Sequence, residues 1–266
     1  ASIYDDILRI IKDIIMQTPN PSPPKACIII IGNEILSGRT EDKNITWLAS
    51  ELGKIGVSTD EVRIIPDYKQ VIADTVKSCS NAFNYVFTTG GIGPTHDDIT
   101  SVSIALAFDV PIIRNAEAEA ILEKYYGKEE LNAARLKMAE IPQNSRLIYN
   151  PVSAAPGFII KNVYAMAGVP EIMQAMFADI KGELRGGAKI LSRTLSVYIT
   201  EGFLAEGLTN IQNQLSDVEI GSYPFIRNGR LGTSLVSRSS DEARLNLCYD
   251  MLKNFLLTIT PKIEED

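Results

Sequence analysis

The chain has one histidine and three cysteines, and each scarcity closes off a chemistry. Without a second histidine there is no His-paired nucleophile, and no G-x-S-x-G elbow appears. Cys27, Cys79 and Cys248 are far apart in sequence and odd in number. Neither a disulfide framework nor a C-x-x-C metal site is offered, so a reducing compartment is expected. No run approaches the roughly 20 apolar residues of a membrane span, and no membrane partner is expected. Asp5, Asp6 and Asp13 interrupt the apolar residues near the start, unlike a signal peptide, and the chain reads as cytoplasmic. Positive charge is short as well. A net charge of −7 leaves no general grip on nucleic acid, which needs a basic face to displace counterions. The glycine-rich turn near residue 90 is not a Walker A loop, since no Gly-Lys-Ser/Thr follows it. Gly91-Ile92-Gly93 also lacks the third glycine of a dinucleotide fingerprint.

What is present is a soluble composition, 266 residues with 45% apolar, enough for one large or two modest domains. Residues 1–17 place Ile3, Ile7, Ile10, Ile11 and Ile14 at helical spacing, and four prolines in Thr18–Pro24 then predict a stiff linker. Ala26–Ile31 is an unbroken apolar run, typical of a strand covered on both faces. A helix with Ile45, Leu48, Ala49 and Leu52 inward, a strand over 57–65, a helix over 69–81 and a strand over 84–89 follow. Helices are predicted over 115–126 and 129–140, a hairpin over 145–160, a strand over 164–167 and a helix over 171–184. This alternation predicts βαβ units and a parallel sheet. Beyond the glycines at 182–187 the order becomes β-α-β-β-α, which suits a small α+β domain. The expected domains are thus 1–25 (helix and linker), 26–185 (α/β) and 190–260 (small α+β). Tyr223-Pro224-Phe225 reads as core of the last.

The stretch Asn84–Thr100 organises the rest. A strand-like run ends at Thr89, and Gly90, Gly91, Gly93 and Pro94 then turn the backbone. A helix follows, with Ile99, Val102, Ala105 and Leu106 as its apolar face. Strand, glycine turn and helix start predict an anion site. Yet this turn carries Asp97 and Asp98, and a divalent cation between acid and phosphate would reconcile the two. Ligands of open parallel sheets bind at the carboxyl ends of the strands. There Gly32-Asn33-Glu34 through Asn44, Thr89 through Asp98, and Gly168-Val169-Pro170-Glu171 are expected to face one crevice. Each has a plainer reading. Thr95 and Asp98 fit a capping box, Glu34 favours a helix dipole, Asn44 could cap the helix after it, and His96 suits packing or hydrogen bonding better than metal ligation.

At Gly32-Asn33-Glu34-Ile35-Leu36-Ser37-Gly38-Arg39-Thr40, with Asn44 beyond it, and at Thr89 through Thr100, the sequence resembles the molybdopterin-binding domain family. Within that family it is most similar to CinA-type competence/damage-inducible proteins, in their short form without the deamidase domain. The resemblance covers 26–260 and implies a three-layer, mostly parallel α/β fold. Gly221–Phe225 and Ser240–Arg244 resemble the small KH-like domain of CinA-type proteins, although no basic Gly-x-x-Gly loop appears. The resemblance implies metal-dependent hydrolysis of ADP-ribose-like or FAD-like dinucleotides to monophosphates, with magnesium or cobalt and potassium as cofactors. The alternative it implies is molybdopterin binding without hydrolysis. Carried onto this chain, it makes Asp97, Asp98 and Glu34 catalytic, with Asp97 and Glu34 at the metal. Asn44, Thr89, Gly90, Gly91, Gly93, Thr95 and Gly168 then hold the ligand's phosphate. The partner is a nucleotide or pterin phosphate, and a homo-oligomer, a dimer, is expected. One departure stands out. The family reads Gly-Val-Pro-x-Glu-Met, whereas here Glu171 precedes Ile172, moving the acid about 100° around a helix.

Overall fold

A computed structural model describes residues 23–265. The helix expected over 1–17, and the linker up to Ser22, lie outside the described residues. By the clustering of its contacts the chain divides into two compact units between Gly187 and Ala188.

The first unit is built on strand β1 (Lys25–Ile31), whose residues from Ala26 onward are all buried. Its side chains serve two cores, because successive residues of a strand point to opposite faces. Cys27, Ile29 and Ile31 pack with helices Lys69–Ala82, Thr100–Ala107 and Ala116–Tyr126. Ala26, Ile28 and Ile30 pack with helices Asn44–Lys54 and Pro170–Ile180. Each fully buried isoleucine contributes roughly 1.5–3 kcal/mol, so β1 alone anchors both outer layers. The result is a three-layer α/β/α unit.

Its sheet adds β2 (Ser58–Ile65), β3 (Tyr85–Thr89), β6 (Arg146–Ile148), β7 (Gly157–Ile160) and β8 (Val163–Met166), in the order β2-β1-β3-β8-β7-β6. The first four in that order are parallel, and β7 and β6 are antiparallel additions. The short strands β4 (Ile112–Arg114) and β5 (Glu140–Pro142) pair apart from the main sheet. Cys27 and Cys79, 52 residues apart, bring their buried thiols to 3.5 Å.

Two expectations fail in this unit. The helix over 129–140 is instead a single 3-10 turn (Lys128–Glu130), a five-residue helix (Ala133–Lys137) and β5. Asn132 breaks the run, its side chain capping the Arg135 amide at 3.0 Å. In the helix Thr100–Ala107, Leu106 faces solvent while Thr100, Ser103 and Ile104 are buried. The two hydroxyls are admitted because Thr100 donates to Gly90 O and Ser103 to Ile99 O.

The second unit has an antiparallel sheet of β9 (Leu191–Val197), β10 (Glu219–Arg227), β11 (Arg230–Ser239) and β12 (Glu264–Glu265), in the order β10-β11-β9-β12. Helices Glu201–Gln214 and Glu242–Leu257 supply Leu204, Ile211, Leu252 and Leu256 to its core. β10 and β11 are longer than expected because Asn228 and Gly229, both at positive φ, make a two-residue hairpin. Tyr223 and Pro224 are exposed and Phe225 is half-buried, so this tripeptide is not core. The reason is position: β10 is an edge strand, where a proline is tolerated. Among the described residues, no helix is long and apolar enough to cross a membrane.

Candidate functional site

Parallel pairing sets Ile31 beside Ile65, Ile30 beside Thr89, and Thr89 beside Met166. The four strands therefore end at one edge, and the loops after them meet there. They surround a cavity of about 760 Å³, a size suited to a nucleotide-sized ligand.

The rim is backbone. Gly90 and Gly91 have φ of 102° and 69°, which side-chain-bearing residues rarely adopt. A Cβ on Gly90 would stand 2.3 Å from Ile31 O, and one on Gly91 would stand 2.2 Å from Thr100 Oγ1. Thr100, fully buried, holds this turn by donating from Oγ1 to Gly90 O and from its amide to Gly91 O, both at 2.9 Å. The helix starting at Thr100 does not itself line the cavity. The 90–94 backbone is what borders the space, with the helix start directly behind it.

Acid collects on the same wall. Glu34, Asp97 and Asp98 line the cavity together with Gly90, Gly91, Gly93 and Gly168. A fourth carboxylate, Asp67, lines it too and was not singled out from the sequence. Its Oδ2 accepts the Asn33 amide at 2.8 Å, which ties the end of β2 to the short helix Asn33–Leu36 that carries Glu34. Burial, and then the charges of Glu34, Asp97 and Asp98, push the Asp67 carboxyl above the usual range, although the Asn33 bond works against them. Asp97 behaves oppositely. Hydrogen bonding from the Thr95 side chain, for whose one proton it competes with Asp98, and then from its own backbone holds it below the usual range. Among the described residues the only base lining the cavity is Arg135, which stacks 4.2 Å over the Tyr126 ring and pairs with Glu130 at 2.9 Å.

Thr95 does not line the cavity but shapes it. Its amide donates to Asp98 Oδ2 at 2.8 Å, and its hydroxyl donates to the same oxygen. This is the reach-back half of a capping box, closing the loop rather than a helix, since the next helix begins only at Thr100. Lys137 Nζ donates to Thr95 O and pins the loop from outside. His96 is almost fully exposed, 4.0 Å from Asp97, and so is not a packing residue.

Asn44 and Thr89 line a second, smaller cavity, which shares Glu34, Gly90 and Gly168 with the first. Asn44 does not cap its helix: Asp42 does, accepting the Ile45 amide at 2.8 Å. The Asn44 side chain crosses instead to Gly168 O, 2.8 Å away and 124 residues along the chain. Ile172 lines the main cavity whereas Glu171 is exposed and does not, so the one-residue displacement turns that acid away.

Oxygen-only donors of this kind suit a hard cation such as magnesium, not a soft one. Among the described residues no three of them converge at coordinating distance.

A doubly covered sheet whose strand ends carry this glycine rim and acid wall defines the class, and comparison with known proteins gives the family. The family described as probable molybdopterin-binding domain matches residues 27–186, and that described as FAD synthase, middle domain, matches residues 189–260. The chain belongs to the molybdopterin-binding domain family and is of CinA type. It is 39% identical to a CinA-like protein of Sulfurihydrogenibium over 77% of this chain and 52% of that relative. It is 31% identical to a probable FAD synthase of Caenorhabditis elegans over 90% of this chain and 51% of that one. The chain thus spans about half the length of these two relatives. The crystal structure of the protein CinA from Thermoplasma acidophilum, 32% identical, covers 60% of this chain and 97% of its own with a TM-score of 0.57.

Proposed function

We propose that this chain is a divalent-cation-dependent pyrophosphatase acting on ADP-ribose-like or FAD-like dinucleotides. One observation carries the reading: four carboxylates and a single arginine border the same cavity as a bare glycine backbone. An ionised phosphate would be repelled there unless a cation came with it. Magnesium or cobalt held by Glu34 and Asp97, with potassium as a further cofactor, would neutralise charge on the bridging phosphates.

The chain's own groups divide the remaining work by their acidity. Asp97, held anionic, suits cation binding. Asp67, pushed up, suits taking a proton from water at neutral pH. Water's oxygen forms a bond to one phosphorus as the P–O bond to the bridging oxygen breaks. The bridging oxygen leaves with the electron pair on the other phosphate. ADP-ribose would yield AMP and ribose 5-phosphate, and FAD would yield AMP and FMN. The amides of Gly91, Ile92 and Gly93 and the Arg135–Tyr126 pair are placed to orient the two halves. Asp98, with one oxygen committed to Thr95, keeps the turn in shape.

The match of 189–260 to the FAD synthase middle domain, and the relatives carrying that name, support a dinucleotide over a lone pterin. Purified protein should release AMP from ADP-ribose or FAD with magnesium or cobalt, and lose that activity in EDTA. No release across a panel of dinucleotides would remove the proposal. Retention of molybdopterin without hydrolysis would then be the reading left, tested by co-purification of a fluorescent pterin.

A further inference from the structure

The smaller cavity, about 110 Å³, holds two polar side chains that the pyrophosphatase reading does not use. Asn44 is 4% exposed and Thr89 1%, yet Asn44 Oδ1 and Thr89 Oγ1 have no hydrogen-bond partner among the described residues. Buried polar groups are rarely left unpaired, so each of these two atoms calls for a partner that the described residues do not supply.

The orientation of Asn44 identifies its chemistry. Nδ2 donates to Gly168 O, and flipping the amide would set two carbonyl oxygens against each other. Asn44 therefore offers the cavity an acceptor. An ionised phosphate has no proton to give that oxygen, and only the second Nδ2 proton could serve the phosphate contact expected from the resemblance. The Thr89 hydroxyl can donate or accept. The pair calls for a neutral group that both gives and takes a hydrogen bond.

Size narrows this further. The cavity has room for roughly three to four waters, too little for a nucleobase but enough for one edge of a sugar. It opens beside Glu34, Gly90 and Gly168, which also line the main cavity, so a ligand bound there can extend a hydroxyl into it.

We infer that Asn44 and Thr89 form a hydroxyl-recognising subsite, which takes a ribose hydroxyl of the bound dinucleotide. The inference rests on the nucleotide reading of the main cavity. The hydroxyl donates to Asn44 Oδ1 and exchanges a second hydrogen bond with Thr89 Oγ1. Asn44 and Thr89 thus select ribose over deoxyribose and do not touch the reacting phosphates.

The test is calorimetric binding to the full chain of methylene-bridged, non-hydrolysable ADP-ribose and of its counterparts lacking one hydroxyl on either ribose. One deoxy compound should bind the wild type about a hundredfold more weakly, since both hydrogen bonds to that hydroxyl are lost. Thr89→Val, nearly isosteric, should shrink that preference to about tenfold because Asn44 Oδ1 still accepts, and Thr89→Ser should keep it. Asn44→Ala should act as Thr89→Val does, but it also loses the Gly168 contact, so the threonine pair decides if that variant unfolds. Equal binding of all compounds to the wild type overturns the inference and leaves only ordered water in the cavity. So does a preference undiminished in Thr89→Val, or affinity that follows the monovalent cation in the buffer instead of the hydroxyl. Binding of none of them overturns this subsite and the nucleotide reading together. AMP release without hydroxyl preference sinks the subsite alone, and hydroxyl-dependent binding without AMP release sinks hydrolysis alone.

Discussion

Asp67 is the residue whose environment says most. Burial and three neighbouring acids raise its pKa, so the folded chain binds this proton more tightly than the unfolded chain does. The stability it contributes is greatest below the unfolded value and is lost as pH rises through the folded one, so above that range the ionised carboxylate opposes folding. Asp67→Asn keeps an oxygen to accept the Asn33 amide and removes that charge. Its melting temperature at pH 7 should be equal to or above the wild type's, while AMP release falls about 100-fold. Magnesium should raise the wild-type melting temperature more than the variant's, since relief of repulsion is part of what the cation supplies. A variant that melts lower and still hydrolyses would remove Asp67 from the mechanism.

Position 172 makes the converse prediction. Ile172 faces the cavity where the family pattern has an acid, and Glu171 faces away. Ile172→Glu should raise turnover roughly tenfold if that acid assists the reaction. Its cost would be about 1–2 kcal/mol, because Ile172 also packs against the core beneath. Glu171→Ala should leave turnover within error of wild type. Steady-state rates of the two variants, side by side, decide the matter.

At the scale of elements, the 90–99 loop is the part the site cannot lose. Gly91→Ala combines positive φ with a Cβ driven into Thr100 Oγ1. It should cost about 1–3 kcal/mol in urea unfolding and abolish AMP release, since the turn must open to relieve the clash. Thr100→Val, which removes only the hydroxyl bond to Gly90 O, should cost about 1 kcal/mol and weaken ligand binding more than turnover. Part of this was legible in residues 84–100, where the strand and the glycines announce a turn with a ligand beside it. The helix face was not. Periodicity counts Leu106 as apolar and Thr100 as polar, but it cannot register that Thr100 finds a buried carbonyl. The break at Asn132 was missed for the opposite reason, a strong cap inside a run of good helix formers.

At the scale of the molecule, each unit has a hydrophobic core of its own, and every residue lining both site cavities belongs to the first. A chain ending at Gly187 should therefore fold cooperatively and keep AMP release within a few-fold of the whole; a truncation that folds but is inactive would assign the second unit an active part. Light scattering of both forms would test the dimer.

Order and type of elements were decided locally. Ala26–Ile31 carries the mark of a doubly covered strand and the alternation of strands and helices that of a layered parallel sheet, whereas the Asn228-Gly229 hairpin, though locally encoded, was not among the expected elements. Glu34, Asp97, Asp98 and the glycines could be picked out because their residue types are odd for a strand end. Three things needed the folded chain. Asp67 joins the acids only because β2 pairs beside β1, Asn44 turns to Gly168 only because the last parallel strand ends there, and the Cys27 and Cys79 thiols touch only across the core. The physical reason is the same in each: burial and pairing between residues tens of positions apart depend on which strands are neighbours, and no local pattern encodes that.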